Sequence, residues 1–403
     1  MKIIPPVITL LLCYPVLFAQ KIERVNSFGE NPGNLKMYLY QPNGLDDKKN
    51  IPLIVVLHGC LQNAGIVAKQ SGWNKLADQF GFMVLYPQQR MLNNPMKCFC
   101  WYQRSDLEKG KGENYSIKQM IEAVKRSYRI DSSRVFVTGL SAGAAMAVTM
   151  MADYPETFNA GAVFAGGAYK TATNIWTAML SLYGWRIKSP DNWGQLVREQ
   201  NSEYTGAYPK MIIYQGNADV VVNKRNGTQL MKQWTNLHGV STTPTESIKR
   251  FAQVKAIEKN IYRKPDSSVA VIYYRVKHMG HALLVNPGKC ENEGGKLVAF
   301  SSDKNYFSSY WTAVDFGLIE LPYIQGSRQV ASGTQNVTYS VPLVEGAMYE
   351  WRYPKDCKAI GNTNTNSITL NFGKRGGNID VTRVISSTCK QLYPTLNVVV
   401  GNK

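Results

Sequence analysis

The chain has 403 residues, 44% of them hydrophobic and 18% charged, long enough for two domains with sizeable cores and too apolar for a disordered polypeptide. Its formal net charge is +18, but the lysines and arginines are scattered, with Lys109-Gly110-Lys111 and Lys374-Arg375 the densest spots. The charge therefore describes a solvated basic surface and not a nucleic-acid groove.

The N-terminus, Met1-Lys2 followed by the apolar run Ile3 to Phe18 and then Ala19-Gln20, has the form of a secretory signal peptide. Pro5, Pro6 and Pro15 argue against a spanning helix, and no later stretch is apolar for long enough to cross a bilayer. The mature chain is expected to begin near Gln20 or Lys21, outside the cytoplasm. Strand-like runs follow at Lys36–Tyr40, Leu53–Leu57, Phe82–Tyr86, Val135–Thr138, Ala160–Ala165, Met211–Tyr214 and Val269–Val276. Helical patterns fall between them at Trp73–Phe80, Ser116–Tyr128, Ala142–Tyr154 and Gly227–Leu237, with another at Tyr306–Phe316. Such alternation predicts an α/β fold, a mostly parallel sheet with helices on both faces. Residues 169 to 209 interrupt it with Trp176, Tyr183, Trp185, Trp193, Tyr204 and Tyr208. These rings either frame a substrate groove or form the insertion's own core.

After about residue 320 the texture changes. Leu321-Pro322 opens a linker-like stretch, and from Thr338 onward short alternating strands such as Met348–Arg352, Ser367–Phe372 and Leu396–Val400 show no helical period. They predict a small C-terminal β-sandwich in which Trp351 is a core residue. The expected division is 1–20 signal peptide, 21–320 catalytic domain and 321–403 β-sandwich.

Chemistry concentrates at Gly139-Leu140-Ser141-Ala142-Gly143, directly after the apolar run Val135-Phe136-Val137 and directly before a helix-forming stretch. This is the context of a nucleophile elbow, which exposes a serine on a tight strand-to-helix turn. In an α/β-hydrolase the acid and then the base follow the serine along the chain. Asp219 closes the turn Gln215-Gly216-Asn217-Ala218-Asp219 after a late strand, and His281 follows another, with Gly280 letting the chain turn just before it. His278 is the competing base; His58 precedes the serine and is expected to brace a loop. The oxyanion hole needs two backbone N–H groups, one from Ala142 and one from Cys60, which ends the strand-like Ile54–Leu57 through His58-Gly59.

Without Cys13, which falls in the leader, six of the seven cysteines remain, an even number suited to an oxidising compartment. If pairing respects the domain division, Cys357 joins Cys389; Cys60, Cys98, Cys100 and Cys290 then have three connectivities open, of which Cys60 with Cys98 would tether the oxyanion loop. No Cys/His spacing fits a zinc site, so neither a metal nor a cofactor is expected.

Several segments in fixed order, Leu57-His58-Gly59-Cys60, Ser71-Gly72-Trp73-Asn74, Cys98-Phe99-Cys100-Trp101, the Ser141 box, Ala218-Asp219, Gln233-Trp234-Thr235, Gly280-His281 and Phe316-Gly317-Leu318, resemble the polyhydroxybutyrate depolymerase family of secreted esterases. The likeness runs from about residue 35 to residue 318. It implies an α/β-hydrolase acting on short-chain polyester, or on feruloyl and acetyl esters of plant polysaccharides, with Ser141 as nucleophile, Asp219 as acid and His281 as base. Gln215 stands where the family often has histidine and Ala144 where it often has a third glycine. The tail resembles PKD-like, immunoglobulin-like modules through Tyr349-Glu350-Trp351 and Asn371-Phe372-Gly373. The expectation is a secreted, extracellular or periplasmic, monomeric serine esterase of polyhydroxybutyrate-type polyester that neither binds nucleic acid nor spans a membrane. The alternatives are a feruloyl or acetyl esterase and a catalytically idle polymer-binding protein.

Overall fold

A computed structural model describes residues 21–45, 50–386 and 389–401; the expected signal peptide lies outside them. Among the described residues the first part of the chain builds a ten-stranded sheet from β1 (Glu23–Val25), β2 (Lys36–Tyr40), β3 (Ile51–Leu57), β4 (Met83–Gln88), β5 (Ile130–Leu140), β6 (Ala160–Phe164), β7 (Lys210–Gly216), β8 (Glu246–Lys249), β9 (Ile257–Arg263) and β10 (Val269–Val276). The strand order is β1-β2-β4-β3-β5-β6-β7-β10-β9-β8. Pairings from β4 through β10 are parallel, and β1-β2-β4 and β10-β9-β8 add antiparallel margins. All seven residues of β3 are buried, the signature of a strand covered on both faces. Its side chains divide by pleat: Leu53, Val55 and Leu57 enter one core and Ile54 and Val56 the other.

The helices are α1 (Ala64–Ser71), α2 (Trp73–Phe80), α3 (Arg104–Leu107), α4 (Gly112–Ser127), α5 (Ala142–Asp153), α6 (Ile175–Leu182), α7 (Pro190–Arg198), α8 (Arg225–Leu237) and α9 (Ser308–Phe316). Helices α4, α5 and α8 cover the face of Leu53, while α1, α2 and α9 cover the face of Ile54. Strand β4 lies on one side of β3 and β5 on the other. The order reverses there, and a crevice opens beyond the carboxyl ends of β3 and β5.

Two short parallel strands, β11 (Leu283–Val285) and β12 (Ser301–Asp303), follow the sheet. The C-terminal part contains β13 (Gln329–Ala331), β14 (Val337–Ser340), β15 (Met348–Arg352), β16 (Cys357–Ile360), β17 (Ser367–Phe372), β18 (Gly377–Val384), β19 (Lys390–Leu392) and β20 (Leu396–Gly401). Among the described residues they form a five-stranded sheet and a three-stranded sheet, β14-β17-β16. Both contribute to a single core holding Tyr339, Trp351, Leu370, Phe372 and Val381, which is the small β-sandwich. Trp351 donates its indole N–H to the Thr365 carbonyl at 2.8 Å, so its polar atom is satisfied inside that core.

The disulfides correct one expectation. Cys60 pairs with Cys98, but Cys389 pairs with Cys290 across 99 residues, leaving Cys100 and Cys357 as buried thiols. The assumption that pairing would respect the domain division fails because the loop after β11 packs on the sandwich. Asn292 donates to the Lys390 carbonyl at 3.1 Å, and Gln253 donates to Thr382 Oγ1 at 3.0 Å.

Candidate active site

Ser141 sits between β5 and α5 with φ 58° and ψ −119°, a left-sided conformation that costs an L-residue about 1–3 kcal/mol and persists only where its surroundings over-determine it. They do so here. Ser141 N donates to Phe164 O at 2.9 Å, and Ser141 O accepts from Ala145 N at 3.0 Å. A Cβ on Gly143 would stand 2.3 Å from Leu57 O and 2.5 Å from His58 O, and one on Gly139 would stand 2.3 Å from Gly143 O. Helix α5 can approach β3 and β5 this closely only because both positions lack a side chain.

The loop after β3 is fixed with equal care. His58 is buried, and loss of solvation lowers its pKa to about 4, keeping it neutral. Its Nε2 accepts from Gln89 N at 3.1 Å, so Nδ1 carries the proton and donates to Gly59 O at 2.8 Å. That carbonyl belongs to the Gly59–Cys60 peptide, and in a trans peptide the N–H points opposite the C=O. Holding Gly59 O on the His58 ring therefore turns the Cys60 N–H away from that ring, and the loop packs against the nucleophile, where a Gly59 Cβ would be 3.6 Å from Ser141 Cβ.

On the other side, Asp219 and His281 come from the loops after β7 and β10. His281 Nδ1 lies 2.9 Å from Asp219 Oδ2, with both side chains nearly fully buried. The second carboxylate oxygen accepts from Val221 N and Val222 N, each at 2.9 Å. The two loops are pinned together by Asn217 N to Val276 O and Ala218 N to Met279 O, both at 3.0 Å. His278, the competing base, has φ 51° and an exposed side chain, and its backbone N–H donates to Asn217 Oδ1 at 2.7 Å. Gln215 is buried beneath the pair and donates to Asp219 Oδ2 at 3.4 Å and to Val222 O at 3.3 Å.

Ser141, Ala142 and Cys60 line one cavity of about 270 Å3, together with Val221 and Val222 of the Asp219 loop. Its remaining walls are largely apolar, from Met96 and Trp101 on one side to Ile175, Met179 and Leu182 of α6 on the other. The insertion thus borders the cavity with aliphatic side chains, not with the aromatic rings singled out in its sequence. Trp193 is 0% exposed and belongs to the interior, whereas Trp176, at 80%, projects to solvent. Sequence reading missed the buried polar residues behind the site, Gln62, Gln70, Gln89 and Glu113. Each looks like a surface residue in one dimension, because burial of a polar side chain leaves no pattern in the sequence; Gln70, for one, meets Phe300 O 230 residues away.

Comparison with known proteins agrees with this architecture. The family model described as esterase PHB depolymerase matches residues 35–253, and the PKD-like domain model matches residues 319–398. The poly(3-hydroxyalkanoate) depolymerase C of Paucimonas lemoignei is 39% identical over 317 residues, covering 77% of this chain and 75% of that protein. Acetylxylan esterase A of Aspergillus oryzae is 34% identical over 238 residues, covering 57% of this chain and 75% of that one. Among solved structures, an acetyl xylan esterase from Aspergillus awamori aligns with a TM-score of 0.60 at 29% identity, over 65% of this chain and 94% of that chain. The chain belongs to the esterase PHB depolymerase family, carries a PKD-like domain at its C-terminal end, and is a carboxylic ester hydrolase.

Proposed function

We propose that this protein is a secreted serine esterase that cleaves polyhydroxybutyrate-type polyester, or its oligomers, through an acyl-enzyme. The observation that carries the reading is the 2.9 Å Asp219–His281 hydrogen bond, made at the same carboxyl end of the parallel strands as the strained Ser141. Ser141 Oγ attacks the ester carbonyl and gives its proton to His281 Nε2, the imidazole nitrogen that Asp219 does not occupy. Asp219 holds the tautomer and stabilises the imidazolium. The Cys60 and Ala142 N–H groups receive the developing oxyanion. Collapse of the intermediate breaks the C–O bond, and the departing alkoxide takes the proton back from His281. Water, deprotonated by the same histidine, then attacks the acyl-enzyme and releases the acid and Ser141.

The polyester substrate rests on the similarity to the Paucimonas lemoignei depolymerase over 77% of the chain, and an apolar cavity beside Ser141 suits an aliphatic acyl chain. The two disulfides fit an oxidising compartment, and no helix among the described residues is long and apolar enough to cross a membrane. We place the boundaries at 1–20 for the leader, 21–320 for the hydrolase and 321–403 for the sandwich, with the protein acting as a monomer.

The test compares mature protein with Ser141→Ala on amorphous polyhydroxybutyrate and on acetylated or feruloylated xylan. Hydroxybutyrate released by the unmodified protein alone supports the proposal. Acetate or ferulate alone would move the substrate to plant polysaccharides, and no hydrolysis of any ester by folded protein would leave a polymer-binding scaffold.

A further inference from the structure

Two glutamines are buried behind the site. Gln62 is 3% exposed and Gln70 is 0% exposed, one on the loop after β3 and the other near the end of α1. A buried amide is costly unless its donors and acceptors are met. Here they are met in one continuous line. Gly59 N donates to Gln62 Oε1 at 2.9 Å, Gln62 Nε2 donates to Gln70 Oε1 at 2.7 Å, and Gln70 Nε2 donates to Phe300 O at 2.7 Å. The same Phe300 carbonyl accepts from Leu283 N at 2.9 Å, two residues beyond His281. The Phe300 ring presents an edge contact to the His281 imidazole, with centroids 5.9 Å apart. Phe300 holds this position at φ 64°, and Gln70 Nε2 also reaches Ser301 Oγ at 3.1 Å.

An aliphatic pair of the same size would fill this space and bury more apolar surface, but it would strand the buried Gly59 N–H. Glutamine supplies direction instead, since each amide plane fixes the next. The line begins at the backbone N–H adjacent to the Gly59–Cys60 peptide and ends at the strand and ring that border His281. We propose that Gln62 and Gln70 are positioning residues that lock the oxyanion loop to the His281 segment, so that hydrogen-bond donor and base keep one relative placement. This rests on the esterase reading of Ser141, His281 and Cys60. Neither glutamine touches the reacting atoms. Their effect falls on the transition state, where displacement of a donor by a fraction of an ångström is felt most.

The test uses the mature full-length protein and p-nitrophenyl butyrate, with Gln62→Met, Gln70→Met, the double variant and Ser141→Ala run together. Each glutamine variant is expected to lose about 10-fold to 100-fold in kcat with KM changed by no more than about twofold. The double variant is expected to lose no more than the worse single one, because a line broken once is already broken. Affinity for an alkyl boronic acid, which forms a tetrahedral adduct on the serine, should fall in step with kcat/KM; loss of packing alone would lower Tm without that correlation. Folded variants with kcat within about twofold of the unmodified protein, or losses that add in the double variant, overturn the relay while leaving the esterase reading intact. An unmodified protein that hydrolyses no ester removes both. Should Gln70→Met not fold, Gln62→Met leaves the Gln70 contacts to residues 299–301 in place and decides the question from the oxyanion side.

Discussion

The two halves of the site are built from different materials. The half around Ser141 is made of backbone: a residue at φ 58°, two glycines against neighbouring carbonyls, and a peptide whose carbonyl is held inward by His58. The half around Asp219 and His281 is made of side chains on two loops that share a pair of backbone hydrogen bonds. The backbone half is vulnerable to added atoms and the side-chain half to altered functional groups.

Asp219→Asn should break the side-chain half most sharply. The fold would survive, but the amide would favour the wrong His281 tautomer, and kcat on a soluble ester should fall about 10⁴-fold with Tm nearly unchanged by calorimetry. A retained kcat would assign the orienting role elsewhere. Gly143→Ala attacks the backbone half by adding one methyl group 2.3 Å from Leu57 O. It should cost about 1–3 kcal/mol of stability and, by shifting the Ala142 N–H, about 100-fold in kcat. Steady-state rates and thermal melts on the same preparation separate the two effects.

Glu113 sharpens the comparison from behind the backbone half. It accepts from Cys100 N at 2.7 Å and from Gln89, the residue whose N–H fixes His58. Burial first, and neighbouring Asp106 second, push its pKa up from 4.5 to about 7. The folded state therefore holds a proton that the unfolded chain releases between about pH 4.5 and pH 7. Its stabilising share is complete below 4.5 and is lost as pH rises through 7, up to roughly 3 kcal/mol. Glu113→Gln should flatten the decline of Tm across that window relative to the unmodified protein; parallel Tm profiles would contradict the assignment. The smallest effect on catalysis belongs to the tether outside both halves. Cys290→Ser should lower stability by about 2–5 kcal/mol while kcat on a soluble ester stays within about twofold, and a large loss of kcat would mean that the sandwich holds the His281 segment in place.

Much of the framework is legible in one dimension because its causes are local. The alternation of apolar runs and helical periods follows from strands such as β3 being buried on both faces, and the Gly-x-Ser-x-Gly box is legible because its five residues are adjacent, although Gly143 meets Leu57 and His58 only in the fold. Strand β8 escaped notice because Glu246–Lys249 is mostly exposed and lacks a period of apolar residues, and β9 because Lys259 and Asn260, both buried, interrupt its apolar residues. The α1 helix escaped because its sequence, AGIVAKQS, carries little amphipathic contrast, though Asn63 caps it at 2.9 Å from Ile66 N.

By itself the sequence determined the fold class, the boundary in texture near residue 320, and the residue types gathered at the carboxyl ends of the strands. Periodicity and turn chemistry are written by neighbours along the chain. Tertiary structure alone decided that Cys389 would reach Cys290, that aliphatic residues and not the insertion's rings would border the cavity, and that Gln70 would join Gln62 to residues 299–301. These outcomes depend on which surfaces the folded sheet and sandwich bring together from distant parts of the chain, and no local pattern encodes that distance.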